Sequence, residues 1–231
     1  MRATLLVMVT AIGVMAQQRF DLRVRDDMFA GMMGDRTRLE RGIRVCEQAP
    51  RRDPRNAQAL VWHGSGLVTK ATWLYTAGDS ARGDKMFQQG ISEVNRGRDL
   101  APNDIGVLIG RSALLVGMAQ SGFDPRDEEG RKLPKSAVDD YEVVLAKQQS
   151  ISLLSQHSRC ELLFGLAAGW SRLAQAGLDP ADRSRRHLDG IVPSCAGSQY
   201  ESEARAWLAK PAGTFVDHNC VGCHVSEKRA H

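Results

Sequence analysis

Three stretches of this chain repeat one pattern of small and apolar residues at nearly equal spacing, and this repeat most limits the possible folds. They are Gly42…Cys46…Ala49, Gly90…Val94…Gly97 and Ala137…Tyr141…Val144. The second begins 48 residues after the first, and the third 47 after the second. Offsets of four and seven return to one face of an α-helix, and small residues there let a partner helix approach closely. In the first two units a Pro follows five residues on, at Pro54 and Pro102. Proline cannot continue a helix, so it ends one and sets the turn into the next. The third unit is looser, because Val144 is not small.

The segments between these units are also helical in pattern. Leu60, Trp62, Leu67, Ala71 and Leu74 share a broad face within residues 57–75. Leu108, Leu114, Leu115 and Met118 do so in the next segment, and Leu153, Leu162, Leu163, Leu166, Trp170 and Leu173 in a third. Aromatic residues are 6% of the chain, and no stretch alternates apolar and polar residues as a strand would. The expected class is all-α, built from antiparallel helix pairs. Past Asp179-Pro180 the pattern loosens. A helix over 181–191, a loop over 193–198, a short amphipathic helix over 199–208 and a break at Pro211-Ala212-Gly213 are expected there.

The repeated frame, with the Pro that follows it, resembles the second helix of a tetratricopeptide repeat and the opening of the next repeat. Residues 23–56 have that family's 34-residue length. Leu60, His63, Gly64 and Leu67 are the nearest match to its first-helix positions, and long inserts are expected around Gly78-Asp79-Ser80 and over 122–134. The resemblance spans about residues 23–180 and implies a tetratricopeptide-like α-α solenoid that binds a protein or peptide on its helical surface. An irregular helical bundle is the alternative.

The first 16 residues read as an export signal. Met1-Arg2 supplies the positive start, residues 3–14 a mainly apolar run, and Val14-Met15-Ala16 a cleavage site before Gln17. The run falls short of the roughly 20 residues that cross a bilayer, so the expected location is periplasmic or secreted, without stable membrane insertion after cleavage. The chain then divides into a signal over 1–16, a helical domain over 17–210 and a motif-bearing segment over 211–231.

That last segment contains Cys220-Val221-Gly222-Cys223-His224, the spacing of a c-type haem attachment motif. On the opening turn of a helix, two thiols three residues apart reach the two vinyl groups on one porphyrin edge. The following imidazole then lies under the ring as proximal iron ligand. Such haem is attached outside the cytoplasm, in keeping with an export signal. Residues 213–219 resemble the helix that leads into the haem motif of class I cytochromes c, with Val216 four positions before Cys220 and Phe215 beside it. Seven residues follow His224, so that family's later helices and distal Met are not expected downstream. A motif near the C-terminus also occurs in class II cytochromes such as cytochrome c′, whose preceding helices wall the haem. The upstream sequence here is more like helical repeats than that bundle, so only Cys220, Cys223 and His224 carry over. The resemblance implies one covalent haem c, with Cys220 and Cys223 as thioether anchors and His224 as proximal ligand. It further implies one-electron transfer to a redox partner protein.

The same residues admit other readings: a redox dithiol, a disulfide, or a zinc site completed by His218, His224 or His231. In the zinc or disulfide case the chain would be an interaction scaffold. For a sixth iron ligand, His63 is a weak candidate, beside Trp62 and Gly64 on a helix that a solenoid would turn inward. His157, His187, His218, His231, Met86 and Met118 are the other donors. An oxidising compartment would allow Cys160 and Cys195 to pair, leaving Cys46 buried, but the sequence leaves this open, since each cysteine could equally serve as a small core hydrophobe. With 31 basic and 27 acidic side chains, the net charge of +4 is too small and scattered for a nucleic-acid partner. The runs Arg51-Arg52 and 183–186 read as solvated helix ends, or as contacts for haem propionates or an acidic partner. No nucleophile–base pair and no phosphate-cradling loop marks an enzyme, so an electron carrier or binding protein is expected.

Overall fold

The computed structural model describes residues 20–49, 53, 55–120, 128–150 and 154–218. The described residues form helices and no strand. In chain order they are α1 (Phe20–Met32), α2 (Arg36–Gln48), α3 (Ala57–Thr76), α4 (Ser80–Leu100), α5 (Ile105–Gln120), α6 (Glu128–Ser150), α7 (Gln156–Gln175), α8 (Asp182–Ser194) and α9 (Gln199–Leu208). Among them, none is long and apolar enough to cross a membrane. The expected export signal over 1–16 lies outside the described residues.

Glycine at a left-handed position turns each of three hairpins. Gly34, Gly78 and Gly177 have φ of 104°, 81° and 71°. Each stands just past a helix, and the residue after it donates its N–H to a carbonyl five residues back: Asp35 to Ala30, Asp79 to Leu74 and Leu178 to Leu173. That bond pattern closes a helix end with its orphan carbonyls satisfied. In two of the turns the next residue also opens the following helix. Asp35 accepts from the Arg38 N–H at 3.0 Å and Asp79 from the Arg82 N–H at 3.3 Å. The stretch around Gly78-Asp79-Ser80 is therefore a tight turn and not the expected insert. Residues 128–134, also assigned to an insert, belong to α6. Residues 121–127 lie outside the description.

The repeated frame falls on the second helix of each hairpin. Gly42, Cys46 and Ala49 lie on or at the end of α2, Gly90, Val94 and Gly97 on α4, and Ala137, Tyr141 and Val144 on α6, all buried. A fourth unit, absent from the sequence reading, follows on α8. Ser184, Leu188 and Ile191 keep the offsets of four and seven, begin 47 residues after Ala137, and are buried. At the frame's first position the paired helices approach to backbone contact. A Cβ on Gly64 would stand 2.4 Å from the Gly90 carbonyl oxygen, and one on Gly90 2.7 Å from that of Gly64. Hydroxyls replace the glycine contact in later hairpins. Ser112 on α5 donates to the Ala137 carbonyl at 3.0 Å, and Ser184 on α8 to that of Ala167 at 2.7 Å.

The hairpins stack in order. α3 packs on both α1 and α2, α5 on α3 and α4, and α7 on α5 and α6, while α9 packs on α8. Each new hairpin thus lays its first helix across the preceding pair, the mode by which repeat proteins extend one core along the chain. One joint is ionic. Asp140 on α6, 2% exposed, accepts from Arg98 Nε of α4 at 3.2 Å and from Arg111 of α5 at 2.5 Å. It borders a polar cleft of about 460 Å³ that Asn95 and Asp99 also line.

Candidate functional site

The segment that leads to Cys220 is a strap on the last hairpin. α9 ends at Leu208, and Arg185 of α8 holds that end by donating to the carbonyls of Leu208 and Lys210. Pro211 and Gly213, the latter at φ 84°, then reverse the chain, and the Thr214 N–H and hydroxyl both donate to the Pro211 carbonyl. Residues 214–218 carry no helix, which corrects the expected helix over 213–219. The turn at 211–213 cuts them off from α9, and Thr214, Phe215 and Val216 favour extended backbone.

Burial alternates at the end of the strap. Val216 and His218 point into the protein, whereas Asp217 is exposed. Val216 is 2% exposed beside Ser184, Leu188 and Trp207. Its N–H donates to the Ser171 hydroxyl of α7 at 3.1 Å. Phe215 lies under the Arg172 guanidinium, 5.3 Å from ring centre to Cζ.

The strap's last described residue is its most tightly held. The His218 side chain is 2% exposed. Its Nδ1 is 2.9 Å from Glu203 Oε1 of α9, and its Nε2 is 3.4 Å from Glu161 Oε2 of α7. The ring stacks on Phe164 with centroids 4.3 Å apart and planes 14° from parallel. The Tyr200 hydroxyl donates to the other Glu161 oxygen and is 3.0 Å from His157 Nδ1. Beside Glu161, a disulfide joins Cys160 of α7 to Cys195 at the end of α8, a pairing the sequence leaves open. It ties the end of α7 that carries Glu161 to the end of α8.

The motif residues Cys220, Cys223 and His224 lie outside the described residues, as does His231. The described part of the expected 211–231 segment, residues 211–218, packs on the helical domain. His63 sits on α3 in the second hairpin, where Glu93 takes its Nδ1 and Glu47 stands 3.8 Å from Nε2. Burial opposes charging of this ring, but Glu93 and Glu47 together outweigh it and raise its pKa above the ordinary value. His187 on α8 is 3.7 Å from Glu142, and burial lowers its pKa. Met118 is in the core and Met86 is half-buried on α4. Cys46 is buried among α1, α2 and α3 residues, and burial pushes its thiol far above the usual range.

The arginines of 183–186 are more engaged than solvated helix ends. Arg183 covers the Trp170 ring at 4.5 Å, and Arg185 locks α9; Arg186 pairs outward with Asp182. Arg51 and Arg52 are outside the description. Sequence reasoning missed Glu161, Phe164, Ser171, Tyr200 and Glu203. The available signal was on α9, where Tyr200, Glu203, Ala204 and Trp207 recur at helical spacing and mix polar groups into an inward face.

Comparison with known proteins finds no matching family, and neither a curated protein nor a solved structure is significantly similar to this chain.

Proposed function

We propose that this chain is an exported, periplasmic c-type haem protein that passes single electrons. A tetratricopeptide-like helical domain would dock its redox partner. Cys220 and Cys223 would be the thioether anchors and His224 the proximal iron ligand. The motif Cys220-Val221-Gly222-Cys223-His224 carries the reading. Bound there, the haem would supply one-electron oxidation and reduction.

The donor set fits that group, and the cysteine pairing supports it. Cys160 and Cys195 hold each other, and Cys46 is enclosed in the first hairpin's core, so no other cysteine is at hand for Cys220 or Cys223. The Cys160–Cys195 bond also agrees with an oxidising compartment and hence with export. Both nitrogens of His218 face carboxylates, which weighs against its serving as a zinc ligand. The described strap, which ends at His218 on the last helices, supports the reading by leading the chain toward the motif.

The test is expression with its signal in a host that attaches c-type haem. Denaturing-gel haem stain and a reduced absorption spectrum should both report covalent haem. Replacing Cys220 and Cys223 by Ala should abolish the stain and leave the helical circular dichroism intact. Well-folded, exported protein without covalent haem would sink this reading.

The stacked hairpins favour a second reading, an interaction scaffold whose motif binds zinc or closes a disulfide. It expects stoichiometric zinc or a Cys220–Cys223 bond, and a loss of stability when both cysteines are replaced.

A further inference from the structure

We propose that His218 is the positioning residue of the haem-attachment segment. Clamped by Glu161 and Glu203 and stacked on Phe164, it fixes the strap so that the haem takes one place and orientation at the end of the stack. This inference rests on the haem reading above.

Chain segments past the last helix ordinarily fray unless something ties them down. Here the hold tightens toward the motif. Val216 supplies an apolar plug and one backbone hydrogen bond to Ser171. Two residues on, His218 brings a polar ring to 2% exposure, a placement that costs free energy unless its nitrogens are paired. Both are paired, by carboxylates from two different helices. Those carboxylates are themselves placed. Glu161 takes the Tyr200 hydroxyl and follows Cys160 of the disulfide, and Glu203 lies one turn along α9 from Tyr200.

An apolar residue at 218 would be enough to bury the strap's end. A planar ring with two directed bonds and a stacking partner fixes direction as well as depth. Cys220 is two residues further along, and two residues span at most about 7 Å. The first thioether anchor is therefore tethered to the clamp, and the clamp limits where the haem can lie. A rigid supporting set behind a functional group is what holds such a group in one geometry.

The experiment uses the exported, haem-loaded full chain and His218→Ala. The variant should keep the haem stain and the far-ultraviolet circular dichroism of the wild type. Its Val216 amide should exchange with deuterium about tenfold faster or more, since hydrogen bonds to charged groups hold the strap. Its Soret-region circular dichroism, which needs a haem fixed in asymmetric surroundings, should collapse. Glu203→Gln, which keeps an acceptor but removes the charge, should weaken the same band in part, and serves if His218→Ala fails to fold. A Soret band unchanged in the haem-loaded variants overturns the positioning role alone. An unstained wild type overturns the haem reading and this inference with it.

Discussion

Asp140 offers the sharpest test of how the hairpins are joined. Its carboxylate on α6 is 2% exposed and binds Arg98 of the preceding hairpin and Arg111 of its own. Asp140→Ala leaves both guanidiniums without it, but unequally. Arg98 is 37% exposed, so water replaces most of what it loses and its half of the joint is worth under about 1 kcal/mol. Arg111 is 12% exposed and, among the described residues, keeps Asn95, whose oxygen takes Nε at 3.2 Å and Nη2 at 3.1 Å. Breaking a buried ion pair from one side costs about 3–5 kcal/mol. With Asn95 still in place, we expect the low end, about 3 kcal/mol. For a chain of this size each kcal/mol lowers Tm by about 2–4 °C, so thermal denaturation should show a fall of about 6–12 °C. Because repeat arrays are held by neighbour contacts, the loss should also separate the melting of α1–α4 from that of α5–α9. The double variant Asp140→Ala with Arg111→Met should recover part of the loss, since the unpaired cation is then gone. A single transition within about 1 °C of the wild type would show that Asp140 does not join the hairpins.

Gly90→Ala puts a methyl 2.7 Å from the Gly64 carbonyl oxygen and should cost about 1–3 kcal/mol in urea unfolding. The same change at Gly117, where a Cβ meets nothing within 4 Å, should cost no stability. Acid unfolding should expose the first hairpin's joint. Arg41, together with Arg38, holds the Asp27 carboxyl below its ordinary value of 3.8 against the opposing effect of burial. A depressed carboxylate stabilises above its unfolded-state pKa and loses that contribution as pH falls through the folded one. Wild type should therefore exceed Asp27→Asn in Tm at neutral pH, and the gap should close below pH 3.8; a gap that persists in acid contradicts the assignment. Reducing Cys160–Cys195, which are 35 residues apart, should cost about 3–4 kcal/mol and speed exchange at Val216. A reduced protein with unchanged stability would show that the bond does not brace the strap's floor.

The parts of this fold that follow from helical period were legible in the sequence. Every frame residue from Gly42 to Val144 lands on the buried face of a hairpin's second helix, because close helix contact demands small side chains at fixed offsets. The helix expected over 199–208 has those bounds. The fourth unit escaped because its small residue is the polar Ser184, and because Pro193 falls two residues past Ile191 and is accommodated inside α8. The turns at Gly34-Asp35 and Gly78-Asp79 were readable in principle, since one dipeptide supplies both the left-handed residue and the next helix cap.

The strap shows where one-dimensional reading stops. A five-residue stretch offers too few positions for any period to stand out, and an apolar pair before two cysteines matched a helical template better. Its partners were beyond reach as well: Glu161 is 57 residues from His218 and Glu203 is 15. Only the stacking of α7, α8 and α9 brings those carboxylates to one imidazole. The same stacking consumes Cys160 and Cys195, and the first hairpin encloses Cys46. The motif at 220–224 is chemically plain in the sequence, but the reason its two thiols lack competing cysteine partners is tertiary. That reason disfavours a disulfide from the motif to the described body of the protein, and the strap is the described element that leads toward the motif.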